Sequence, residues 1–211
     1  MAGTAIAVDG PKPSAGIVPV TFEQDFFVAR RKIFSFAPKL YIWDRAGCSL
    51  AFVRKKIFAV RDDIRVFTDE TQSFELLRIK GRNIIDFGAA FDVVDSLNEQ
   101  KVGVLKRRGW KSLLRAEWNI LDALDQEIGK IREDSALLAA IRRLILRILP
   151  QNFTFELGGQ VVGTAKQSWN IFAPTMTVDF TADPGKKLDR RLVVAAIMLL
   201  MSVEKNEERS G

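Results

Sequence analysis

The side chains whose spacing could do acid–base chemistry are two carboxylate pairs, Asp92 with Asp95 and Asp122 with Asp125. Two neighbouring carboxyls push each other's pKa values apart, and general acid–base catalysis uses such a difference. Yet Asp95 and Asp122 each stand where a run of alternating apolar residues stops. An aspartate there caps a turn through its own backbone, so a structural role accounts for it. The chain of 211 residues contains no histidine. That removes the commonest general base, Ser-His-Asp and Cys-His nucleophiles, and nearly all zinc sites. Cys48 is the one cysteine, so no internal disulfide or thiolate cluster can form and a reducing compartment suits the chain. In Ala46-Gly47-Cys48-Ser49, with no histidine to activate it, the thiol reads as a small packing residue. No P-loop, dinucleotide fingerprint or calcium-loop spacing occurs, and Gly158-Gly159 reads as a tight turn. The expectation is a protein that is not an enzyme, with no catalytic residue, cofactor or metal.

Binding chemistry is better represented. The net charge of +6 favours anionic partners in general. Lys106, Arg107 and Arg108, with Lys111 and Arg115, are interleaved with Trp110 and Trp118, a pattern able to hold the phosphates of lipid headgroups. The competing reading is a solvated strand edge whose cations deter edge-to-edge pairing. A second candidate is Ala136–Leu149. Leu137, Leu138, Ile141, Leu144, Ile145 and Ile148 form one stripe at helical spacing, flanked by Arg142, Arg143 and Arg147. That is the pattern of a helix lying on an anionic membrane, or of one packed on the domain with solvated arginines. Arg30-Arg31-Lys32 and Arg54-Lys55-Lys56 read as solubility features. Nucleic-acid recognition needs exposed aromatics along a basic groove and a motif of that class; no such motif is present, and nucleic acid is not an expected partner.

The elements that must position these groups are mostly strands. Leu40–Asp44 and Ser49–Arg54 alternate around a turn, and Ile64–Asp69 and Phe74–Lys80 repeat the idea. Phe91–Asp95 returns through Lys101–Leu105, Trp118–Asp122 through Glu127–Ile131, and Phe153–Leu157 through Val161–Ala165. Each unit is a strand, an acidic or glycine-bearing turn, and a return strand, in the last three with apolar-Gly-x-apolar. Period-2 alternation gives one face to a core, and glycine in the return strand permits a bulge or a close backbone approach. Trp169–Phe172 and Thr175–Phe180 are expected as a final strand pair, and Thr21–Phe36 is rich enough in aromatic and β-branched residues to favour strands. Hairpins at roughly 25-residue intervals point to a meander, sandwich or barrel.

Leu192–Val203 (LVVAAIMLLMSV) is apolar on every helical face and must be buried all round. At roughly 18 Å it is short of a bilayer core of about 30 Å, so burial in protein is expected, by Leu192, Val193, Val194, Ile197, Met198, Leu200 and Met201 in particular. No transmembrane span and no signal peptide are expected. Residues 1–20 read as a flexible tail and 205–211 as a charged one. Between them 21–204 is a single domain, with the inserted helix near 136–149 and the central helix near 188–204.

Repeated hairpins before a wholly apolar C-terminal helix resemble the tubby C-terminal-like superfamily, and within it the LURP-one-related and phospholipid scramblase-like proteins. Phe91-Asp92-Val93-Val94-Asp95 with Val102-Gly103-Val104, Lys106–Leu114, and Trp118-Asn119-Ile120-Leu121-Asp122 with Ile128-Gly129-Lys130-Ile131 carry the likeness. It implies a closed antiparallel barrel of about twelve strands around the central helix, which also leaves no exposed sheet edge. It further implies a cytoplasmic, non-enzymatic barrel that binds anionic phospholipid surfaces peripherally. Two alternatives stand beside this: a protein-interaction scaffold or homo-oligomer using helix 136–149, and scramblase-like lipid translocation. The missing calcium loop speaks against calcium-triggered scrambling. The sequence leaves the oligomeric state open.

Overall fold

The computed structural model describes residues 19–32, 39–55, 63–82, 89–108, 117–134, 150–168, 170 and 173–203. A helical turn α1 (Val20–Glu23) precedes β1 (Phe26–Lys32), β2 (Lys39–Trp43), β3 (Ser49–Lys55), β4 (Asp63–Phe67), β5 (Glu75–Gly81) and β6 (Ala90–Asp95). Next come β7 (Gln100–Arg107), β8 (Glu117–Leu121), β9 (Glu127–Glu133), β10 (Asn152–Leu157), β11 (Gln160–Gln167), β12 (Thr175–Asp179) and the helix α2 (Arg190–Val203). Every strand pairs antiparallel with its neighbours in sequence, and β1 pairs with β12. The sheet is thus a closed barrel with no edge strand to protect.

α2 forms because Asp189 caps it and the residues beyond the cap are good helix formers. The Asp189 carboxylate accepts the Arg191 amide at 2.8 Å, satisfying one donor that the first turn leaves open. Alanine, leucine and methionine then favour helix. Every residue from Leu192 to Met201 is at most 7% exposed, and they share one core with the inward residues of the strands. The apolar run is therefore enclosed on all sides, as its lack of a polar face requires.

The hairpins share one device. Val93 pairs with Gly103 but Val94 with Lys101, so Val102 is an extra residue on β7. The same slip leaves Leu50, Leu76, Ile128 and Val162 as the extra residue on β3, β5, β9 and β11. Positions 50, 76, 102 and 128 recur at a constant step. Such bulges bend and twist a strand locally, which a sheet closing into a barrel needs. The bulged side chains all pack into the core. The residue after the bulge is glycine on the last three return strands because space is short there. A Cβ at Gly103 would lie 2.4 Å from the Leu121 carbonyl oxygen, and one at Gly163 would lie 2.6 Å from the Phe180 ring. On β3 and β5 the position is taken by Ala51 and Leu77 instead.

The outer wall carries a small second core. Tyr41, Phe52 and Phe67 are buried there beside Trp43. The connection between β4 and β5 reaches back to them: Tyr41 donates its phenol to Glu70 at 2.6 Å, Lys39 pairs with Glu70 at 2.9 Å, and Arg54 donates to Gln72 at 2.7 Å. Burial and the Glu70 carboxylate push the Tyr41 phenol up to about 12.

Three sequence expectations are corrected. Residues 20–23 form a helical turn instead of a strand. Pro19 sets its entry, the Thr21 hydroxyl bonds the Leu50 carbonyl at 2.7 Å, and Phe22 is buried; the aromatic content there signals burial, not pairing. Asn170 lies outside any strand, and β12 takes β11 and β1 as partners in place of Trp169–Phe172. Cys48 is exposed in the turn after β2 rather than packed. The expected helix 136–149 lies outside the described residues.

Candidate functional site

Odd-numbered strands all run one way in this barrel, so its two ends differ in sequence. At one end lie the short turns after the even-numbered strands, the start of α2 and α1. The Asp95 carboxylate accepts the Leu97 amide, and Asp122 accepts those of Leu124 and Gln126. These are the turn-capping roles their positions predict. The Asp95 carboxylate also holds α2. Arg191 reaches it at 2.6 Å and is clamped by Asp189. Arg190, 3% exposed, bonds Asp183 at 2.9 Å and Asp25 at 2.7 Å, and donates to the carbonyls of Leu188 and Asp183. Burial alone would raise the Asp183 carboxyl. The Arg190 bond and the amides of Leu188 and Lys187 outweigh it and hold that carboxyl below the usual range. Two arginines in a helix's first turn oppose its dipole; here four carboxylates surround them.

The remaining candidate carboxylates are likewise engaged. Asp92 pairs with Arg82 at 2.6 Å, and Asp125 pairs with Arg82 at 2.8 Å and Lys101 at 2.7 Å. The Lys101 hydrogen bond, then that of Arg82, holds Asp125 low. All four carboxylates therefore act in turns and ion pairs. Among the described residues no group of three or more metal-ligating side chains is assembled.

The other end collects cations. Lys106 is exposed on the outer face of β7, beside Ala90 and Asn119 in register, and makes no ion pair among the described residues. Arg107, the next residue, is half-buried. Arg108 is exposed and pairs with Glu117 at 2.9 Å. Arg132 joins that group through Glu156 at 3.1 Å and Glu117 at 3.9 Å. Lys106 and Arg108 are thus brought together with Arg132, which the sequence did not single out. Lys111, Arg115, Arg142, Arg143 and Arg147 lie outside the described residues. Inside the mouth, Arg31 donates to the Met201 carbonyl at 3.3 Å, a cation at the negative end of α2. The cue for it was Arg30-Arg31 itself, where alternation turns one arginine inward.

A closed antiparallel barrel threaded by a buried C-terminal helix defines the tubby-like class of barrel proteins. Within that class, a family model described as LURP-one-related matches residues 49–201, and the chain belongs to this family. A search of curated proteins finds no match. The matched span runs from β3 through Met201 and so includes every bulged hairpin but the first strand of the first one. Among the described residues no helix is long and apolar enough to cross a membrane. α2, with 14 residues, would span only about 21 Å.

Proposed function

We propose that this LURP-one-related barrel is a non-enzymatic module that binds anionic phospholipid surfaces from the cytoplasmic side. The observation that carries this reading is Lys106. It is exposed, has no ion-pair partner among the described residues, and stands beside Arg108. Its charge is therefore open to an external phosphate instead of being spent on a carboxylate. Exposed lysine near an anionic leaflet gains about 1 kcal/mol. The engaged carboxylates support the non-enzymatic part, since each has a structural role already. Flotation with phospholipid vesicles tests the reading. Binding should require anionic lipid and weaken as salt rises. Equal flotation with purely zwitterionic vesicles, or none with either, would refute it.

A further inference from the structure

A cation occupies the penultimate position of each odd-numbered strand after the first: Arg54, Lys80, Lys106, Arg132 and Lys166. On β1 the outward cation is Arg30, level with Thr175 at the start of β12. All six strands end at the same mouth, where α2 finishes. The charge therefore forms a ring on the outer wall, one cation every second strand. Arg30, Lys80, Lys106 and Lys166 are exposed and make no ion pair among the described residues, and Arg54 bonds the neutral Gln72. The opposite end carries the turn aspartates Asp44, Asp95, Asp122 and Asp179. Cations without an ion pair among the described residues thus gather at one end and turn carboxylates at the other.

From this polarity we infer that the barrel docks end-on: the mouth ringed by Arg30, Arg54, Lys80, Lys106, Arg132 and Lys166 faces an anionic bilayer, with the barrel axis across the membrane plane. The inference rests on the membrane reading above and adds its geometry. Arg30 with Lys166 (β1 and β11) and Lys80 with Lys106 (β5 and β7) stand on opposite sides of the barrel, four to six strands apart in the closed order. At about 4.8 Å per strand, no small anion reaches both pairs. A linear polyanion tracks one arc of the rim, whereas a flat anionic surface meets the whole ring at once. The acidic turns then point away from the lipid charge.

The test uses the full chain and vesicles of zwitterionic lipid with and without phosphatidylserine. Three double variants remove equal charge: R30Q/K166Q and K80Q/K106Q at opposite sides of the mouth, and R45Q/K187Q at the other end. End-on docking predicts that each mouth pair weakens binding roughly 30-fold, about fivefold per cation, while the third pair binds like wild type. Matching thermal unfolding would confirm that all three are folded. Loss in only one mouth pair would mean side-on binding and overturn the inference while leaving the membrane reading intact. Equal loss in all three would reduce the effect to net charge and overturn it too. If wild type ignores anionic vesicles but shifts single-stranded DNA, both readings fall and the partner is a nucleic acid.

Discussion

Replacing Arg190 by methionine should destabilise the barrel by about 3–4 kcal/mol, because it leaves a buried carboxylate without its partner. Asp183 and Arg190 each expose only 2% of their side chains and meet at 2.9 Å. Asp25, the second partner, is 34% exposed and regains water when the arginine is lost, so its share is small. The loss therefore falls mainly on Asp183 and on the carbonyls of Leu188 and Asp183 that Arg190 bonds. In a domain of this size it lowers Tm by about 6–15 °C. Urea unfolding near pH 7 measures it directly as a lower midpoint at unchanged m. The sign with pH is fixed as well. The Asp183 carboxyl is held below its usual value in the folded state. Its contribution is present above the unfolded pKa of about 3.9 and is lost as pH falls through the folded one. The gap between wild type and R190M should thus narrow as pH falls below about 4 and the contribution of the Asp183 carboxylate is lost. Replacing both partners by apolar residues (R190M/D183L) should recover most of the stability. A loss under about 1 kcal/mol for R190M, or a gap that widens in acid, would refute the view that this pair locks α2.

Ala196→Asp places a carboxylate in a core position 2% exposed and should abolish soluble expression; a folded, soluble variant would contradict the enclosed helix. Gly163→Ala drives a methyl against the Phe180 ring and should cost about 1–3 kcal/mol, read by the same urea titration. The chain has one tyrosine, so phenolate absorbance reports Tyr41 alone. It should titrate near 12, and a midpoint near the ordinary value of about 10 would mean that Glu70 and burial do not act on it. Because this pKa is raised, the stability it reflects is full below about pH 10 and fades as pH rises toward the folded value.

Much of the fold was legible because its signals are local. Asp95 and Asp122 bond amides two residues on, so the turn is written within a few residues. Val102-Gly103, Ile128-Gly129 and Val162-Gly163 announce a bulge because the crowded neighbour tolerates no Cβ. Leu50-Ala51 and Leu76-Leu77 make the same bulge with a side chain in place of the glycine, and nothing in their types reveals it. Closure of β1 on β12 joins residues from opposite ends of the chain, which no window can show; only the resemblance implied it. Phe22 reads as strand until the surface that buries it is known. The cations were visible singly, as Arg30-Arg31-Lys32, Arg54-Lys55-Lys56 and Lys106-Arg107-Arg108. Their convergence on one mouth depends on every odd-numbered strand running the same way, a property of topology and not of any motif. The same holds for Lys80 and Lys166, neither of which has a cation next to it in sequence.

The barrel is built around α2, and native-state hydrogen exchange reads that enclosure amide by amide. If the strands enclose the helix, the amides of Val193–Met201 can exchange only when the whole barrel opens, and their opening free energy should equal that of global unfolding from the urea titration. Exchange of these amides at lower free energy, while the amides of β5, β6 and β7 remain protected, would show that the helix can leave the barrel and would contradict the account.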